Sequence, residues 1–170
     1  ILMAGIFGSK ELGLPTMNLI AVILLVQIVA IFGAFLFSRI STKIGNIATL
    51  KITISIWALV CFVAFLLDKS QPNVSYYFYG LGALIGSVMG AIQSLSRSTY
   101  SKMLPETKDH ATYFSFYDVT EKIAIVFGMI VFGLLISFTG SMQWSVLFLA
   151  VFFIISFVFL TFVGKTKYVQ

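Results

Sequence analysis

Residues 76–104 read YYFYGLGALIGSVMGAIQSLSRSTYSKML, an apolar stretch that runs unbroken into a polar, basic end. Gly82, Gly86 and Gly90 recur every four residues and share one face of a helix, and Ser94 and Ser98 continue the stripe for two more turns. Side chains this small let a second backbone come close. Gln93 and Arg97, also four apart, form a polar line beside the stripe. This pattern suits a membrane protein whose helices move against each other around a polar cavity.

Composition sets the class. The 170 residues are 59% hydrophobic and 10% charged, with a mean hydropathy of +1.04, which leaves too little polar surface to cover a water-soluble domain. Crossing a hydrocarbon core of roughly 30 Å takes about 20 mostly apolar residues, and several such runs follow one another between short polar breaks. The net charge of +5 does not imply nucleic acid, because the basic residues are scattered over those breaks, where membrane orientation accounts for them. Cys61 is the single cysteine and lies in an apolar run, so it reads as a small core residue. Ile1 is not an initiator methionine, and residues 1–8 read as the end of a helix whose start is missing. The chain is therefore expected to be a fragment.

Five spans are expected after that stub, at about 19–40, 48–67, 76–100, 117–138 and 144–163. The first contains Gln27 near mid-depth, with two readings open: a hydrogen bond to a neighbouring helix, or the lining of a cavity. Ser38–Lys51 is a basic turn with Arg39, Lys43 and Lys51 and no acid; Lys51 is close enough to its helix start to snorkel to the interface. Asp68–Ser75 turns at Pro72 and Asn73, and Tyr76, Tyr77 and Tyr79 follow as an interfacial belt. Pro105 is expected to stop the third span, and Asp118, Glu121 and Lys122 open the fourth.

The distribution of Lys and Arg orients the bundle. One side receives Arg39, Lys43, Lys51, Arg97, Lys102, Lys108, Lys122, Lys165 and Lys167, nine in all, against Lys10 and Lys69 on the other. By the positive-inside rule the C-terminus is cytoplasmic. Glycine separates the spans further. Runs 48–67 and 141–163 have none and are expected to face lipid, whereas the glycine-bearing first, third and fourth spans are expected to face protein or a cavity. Gly128 and Gly133 join the striped glycines as expected packing positions.

The chain resembles the C-terminal six-helix half of a major facilitator superfamily transporter. The superfamily motif Gly-x-x-x-Asp-Arg-x-Gly-Arg lies between the second and third helices of a half, and Ser38, Thr42, Lys43, Gly45 and Asn46 take its places here. Ser38 replaces its glycine, Thr42 its acid and Asn46 its last base. A sharper likeness lies in GAIQSLSRSTYSKMLPE (90–106) with YFSFYDVTEKIAIVFGMIVFG (113–133) and MAGIFGSKELGL (3–14), which together resemble the vacuole effluxer-like branch of that superfamily. The resemblance implies an all-α polytopic bundle, five full spans plus the end of a sixth, paired with an N-terminal six-helix half that is not in this chain. It also implies alternating access, with the stub and the first, third and fourth spans lining the cavity. Fungal members of the branch release amino acids from the vacuole; the Ile, Phe, Lys, Tyr and Ser bias here points instead to a bacterial inner membrane.

Arg97 and the two acids that open the next span are the charged groups expected to meet. One reading makes Arg97–Asp118 or Arg97–Glu121 a cytoplasmic gate, a pair limited to a few kcal/mol because it must break in each cycle. The other has the acids serving a helix dipole and Lys122 pairing locally with Asp118. Gln27, Ser87, Gln93, Ser94 and Tyr117 are the candidates for hydrogen bonds to a small polar solute. No acid or base falls at the midplane of a complete span, so no proton relay is expected in this half. Neither an enzyme nor a nucleotide-driven pump fits: His110 is the lone histidine, no phosphate-binding loop occurs, and no metal or cofactor is implied. The partners expected are lipid, a small solute and the missing half. The competing class is a membrane scaffold that does not transport and uses the stripe only for static packing.

Overall fold

A computed structural model describes residues 2–68, 70–106 and 109–163. Lys69, Lys108, Lys165 and Lys167, four of the residues that orient the bundle, lie outside the described residues, as does the basic tail 164–170. Among the described residues the order is α1 (Leu2–Lys10), α2 (Thr16–Ile44), α3 (Asn46–Leu66), α4 (Val74–Met103), α5 (His110–Thr139) and α6 (Met142–Val163). The five longer helices are each long and apolar enough to cross a membrane. At 1.5 Å per residue the 30-residue α4 is about 45 Å long, more than the hydrocarbon core alone requires. Its basic last turns therefore extend into the headgroup region.

The helices exceed their expected bounds because polar turns are shorter than they read. Most of the basic turn 38–51 is helical, and a single residue, Gly45 at φ +86°, breaks α2 from α3. That backbone angle is one that side-chain-bearing residues rarely adopt. The helix that holds the fourth span starts well before Tyr117: α5 begins at His110, capped by Asp109, whose carboxylate accepts from the Thr112 amide at 3.3 Å and the Thr112 hydroxyl at 2.8 Å.

The most extensive helix contact joins α2 to α4, which run parallel with α3 returning between them in sequence. Here the glycine stripe meets a row of α2 at matching four-residue spacing. A Cβ at Gly82 would lie 2.9 Å from Val22 Cγ1, one at Gly86 would lie 2.6 Å from the Val26 carbonyl oxygen, and one at Gly90 would collide with the Ala30 carbonyl. The contact is reciprocal, because a Cβ at Gly33 of α2 would collide with the Ser87 backbone of α4. Two backbones in contact leave no room for any side chain between them.

The glycine-free helices do not behave as a uniform outer layer. α3 packs against both α6 and α4 and buries Asn46, Thr49, Leu50, Thr53, Ile54, Val60, Cys61 and Ala64. Small and β-branched side chains here do what glycine does elsewhere. The hydroxyls of Thr49 and Thr53 bond back to the Gly45 and Leu50 carbonyls at 2.8 and 2.9 Å, so burial leaves them satisfied. α6 matches the expectation better, with Met142 and Ser145 its buried residues. α5 carries two glycines yet buries Phe132 alone, and neither Gly128 nor Gly133 has any atom of another element within 4 Å of a Cβ placed there.

A substitution series tests the close approach. Gly90→Val in the full-length protein is expected to lower the thermal unfolding midpoint in detergent, through an overpacking cost of about 1–3 kcal/mol. Gly80→Ala, where a Cβ meets open space, is expected to leave the midpoint unchanged or raise it.

Candidate functional site

Beside the α2–α4 contact, with α5 forming a further wall, lies an open cleft of about 740 Å³. From α2 it takes Ala30, Ile31 and Ala34; from α4, Gly90, Ile92, Gln93, Ser94, Ser96 and Arg97; from α5, Tyr117, Glu121 and Lys122. Small residues at 30, 34 and 90 give it room, and polar side chains from α4 and α5 share its wall with Ile31 and Ile92. Of the solute-contact candidates, the fold brings Gln93, Ser94 and Tyr117 to this cleft. It does not bring Gln27, which is exposed on α2 and donates to its own helix at Ile23 O, 3.4 Å away. Nor does it bring Ser87, whose hydroxyl bonds to Leu84 O at 2.8 Å while its backbone packs on Gly33.

At the end of the cleft Arg97 joins α4 to α5. Its Nη2 donates to Asp118 Oδ1 at 2.8 Å and Glu121 Oε2 at 3.4 Å, and the guanidinium sits 5.7 Å from the centroid of the Tyr117 ring. Asp118 and Glu121 are three apart and share a helix face, so one cation reaches both. Lys122 lines the cleft and makes no ion pair among the described residues, so the local Asp118–Lys122 pair is not formed. With about half of the Arg97 and Asp118 side chains exposed, the pair belongs to the class of ion pairs worth about 0.2–1 kcal/mol. Such a link holds one arrangement and yields readily to another.

Three groups that sequence reading passed over complete this end. The Tyr100 hydroxyl donates to Tyr113 O at 3.0 Å, and its ring lies 4.9 Å from Tyr117 and 5.8 Å from Phe114, centroid to centroid. Asn46, buried at the start of α3, donates to Ser98 Oγ at 3.1 Å and accepts from Lys102 Nζ at 3.2 Å. Ser96 also lines the cleft. A tyrosine next to a basic helix end and an asparagine after a helix-breaking glycine were the available signals. Neither says which partner it finds.

The opposite end is tied shut by polar contacts. Glu11 Oε1 accepts from the Met142 amide at 2.7 Å, capping α6 from the α1–α2 loop, where a carboxylate also suits the helix dipole. Gln143 Nε2 donates to Leu67 O at 2.8 Å, joining α6 to the end of α3. Phe7, Leu12, Leu14, Leu67, Phe78 and Met142 are buried together beneath these links. The bundle is thus closed at one end and cleft at the other.

Five helices long and apolar enough to cross a bilayer, with a cleft lined in part by polar side chains, define an integral membrane protein of the polytopic helical-bundle class. The chain belongs to the family described as vacuole effluxer Atg22 like, whose model matches residues 1–169. It is similar to a Bacillus subtilis protein named uncharacterized MFS-type transporter YxiO, with 29% identity over 166 residues, covering 97% of this chain and 37% of that one. It is also similar to autophagy-related protein 22 of Eremothecium gossypii, with 26% identity over 160 residues, covering 89% of this chain and 31% of that one. The Saccharomyces cerevisiae protein of the same name shows 27% identity over 151 residues, covering 85% and 28%. The chain therefore spans about a third of the length of these relatives. No solved structure matches it.

A double-mutant cycle separates the two arrangements of charge. Arg97→Ala and Asp118→Ala in the full-length protein are expected to couple by about 0.2–1 kcal/mol in unfolding free energy. Lys122→Ala is expected to show no coupling to Asp118→Ala.

Proposed function

We propose that this chain is the C-terminal six-helix half of an alternating-access carrier for a small polar solute. The cleft between α2, α4 and α5 is its share of the solute path. The observation that supports this reading most is the gathering of Gln93, Ser94, Tyr117, Glu121 and Lys122 in one cleft with the Arg97 cluster at its end. A volume of about 740 Å³ lies within the roughly 300–1,000 Å³ common for small-molecule sites. Arg97, Asp118 and Glu121 act as a gate at the cytoplasmic mouth, the side being assigned by the excess of basic residues there. The vacuole effluxer description of the family makes amino acids the first solutes to try, and the likeness to a Bacillus protein favours a bacterial plasma membrane.

Breaking a link of about 0.2–1 kcal/mol shifts the balance of closed and open states by about 1.4- to fivefold, so the gate sets occupancy rather than acting as a lock. Full-length protein in proteoliposomes is expected to carry radiolabelled solute from an amino-acid panel. Arg97→Ala is expected to change the rate by about that factor, and the exchange Arg97→Asp with Asp118→Arg to recover part of it. Wild-type vesicles that carry nothing across the panel would favour a scaffold role.

A further inference from the structure

We propose that the lateral groove along α3 and α6 holds an anionic glycerophospholipid, its phosphate on Lys51 and one acyl chain along α3. The two helices are zipped by aromatic pairs, Trp57 stacked on Phe153 at 5.4 Å and Phe65 edge-on to Trp144 at 5.0 Å. Beside this seam lie two hollows of about 450 and 220 Å³ that share Ser55 and Phe157 and so form one groove. Lys51 is its single charged lining residue. The rest of the lining is apolar apart from Ser55, whose hydroxyl is turned back to Lys51 O at 2.9 Å and leaves the wall greasy. From Lys51 to Leu59 the groove follows α3 for about 12 Å, enough for the upper part of an acyl chain.

Charge decides which lipid this is. Lys51 makes no ion pair among the described residues, neither α3 nor α6 contains an Asp or Glu, and the whole stretch 38–51 adds Arg39 and Lys43 without an acid. An ammonium at the mouth of an apolar groove, near the headgroup region, matches a phosphodiester that carries net negative charge. Lipid tails gain little by leaving other tails for apolar side chains, so the groove positions the lipid and Lys51 selects it. A single basic residue of this kind gives about a fivefold preference over a zwitterionic lipid. The proposal rests on the reading above in one respect: the α3–α6 face must lie away from the other half of the protein.

The test uses full-length protein in mixed micelles, with Leu59→Cys carrying a fluorophore and brominated-chain lipids as quenchers. Brominated phosphatidylglycerol is expected to quench at about fivefold lower mole fraction than brominated phosphatidylcholine. Lys51→Gln is expected to abolish that difference, Lys51→Arg to keep it, and Lys10→Gln at the opposite end to leave it intact. Free glycerol phosphate is expected not to compete. Equal quenching by the two lipids, a preference that survives Lys51→Gln, or no quenching by either lipid overturns the proposal, the last by showing the face to be covered. Transport in vesicles reports on the carrier reading independently: lost flux with the lipid preference intact removes that reading and leaves this site standing.

Discussion

The contact of two backbones along α2 and α4 is the constraint on which the remaining arrangement depends. Gly33, Gly86 and Gly90 each abut backbone atoms of the facing helix, so the pair is set to a separation that any side chain would forbid. In lipid, where apolar side chains gain little by leaving the bilayer for each other, such close packing is a main source of helix association. The pair is also parallel. α3 must then return across the bundle, and it packs against α4 and carries α6 on another side.

From this follows the difference between the two ends. Near the α2 and α4 starts, the loops are short enough for Glu11 and Gln143 to bind neighbouring helix termini, and apolar side chains fill the space below. Toward the α2 and α4 ends Phe37 still packs with Ala91 and Leu95, while α5 is held to α4 by charge and aromatic contacts rather than by packed backbone. Polar contacts at the first end are part-buried and backed by a cluster of buried apolar side chains. The Arg97 links of α4 to α5 at the second end are half-exposed and individually weak, which is what a movable boundary requires.

The large apolar surface of α5 has the same origin. Ile123, Val126, Phe127, Ile130 and Leu134 are exposed in a helix anchored by Phe132. A bilayer or a protein surface can cover them, and water cannot. Among the described residues no buried side-chain nitrogen or oxygen lacks a hydrogen-bond partner, so the polar groups that the fold does bury are all accounted for within it.

Composition and the 3.6-residue period were enough to establish an all-helical membrane protein, the succession of five long spans after a short one, and a face of α4 that a second backbone could approach. Those properties are local, since each depends on what a stretch of about 20 residues is made of. The tertiary structure decided the rest. It left Gly128 and Gly133 in open space, because α5 packs mainly against α6 and through other residues, whereas Gly82, Gly86 and Gly90 share the one face that meets α2. It buried one seam of α3, Thr49, Thr53, Cys61 and Ala64, which is masked in the sequence by equally apolar residues on the exposed face. It also chose Arg97 over Lys122 for Asp118, and Ser98 and Lys102 for Asn46. Pairings of that kind depend on which helices stand side by side and at what rotation, and a hydropathy pattern that is apolar all round carries no record of rotation.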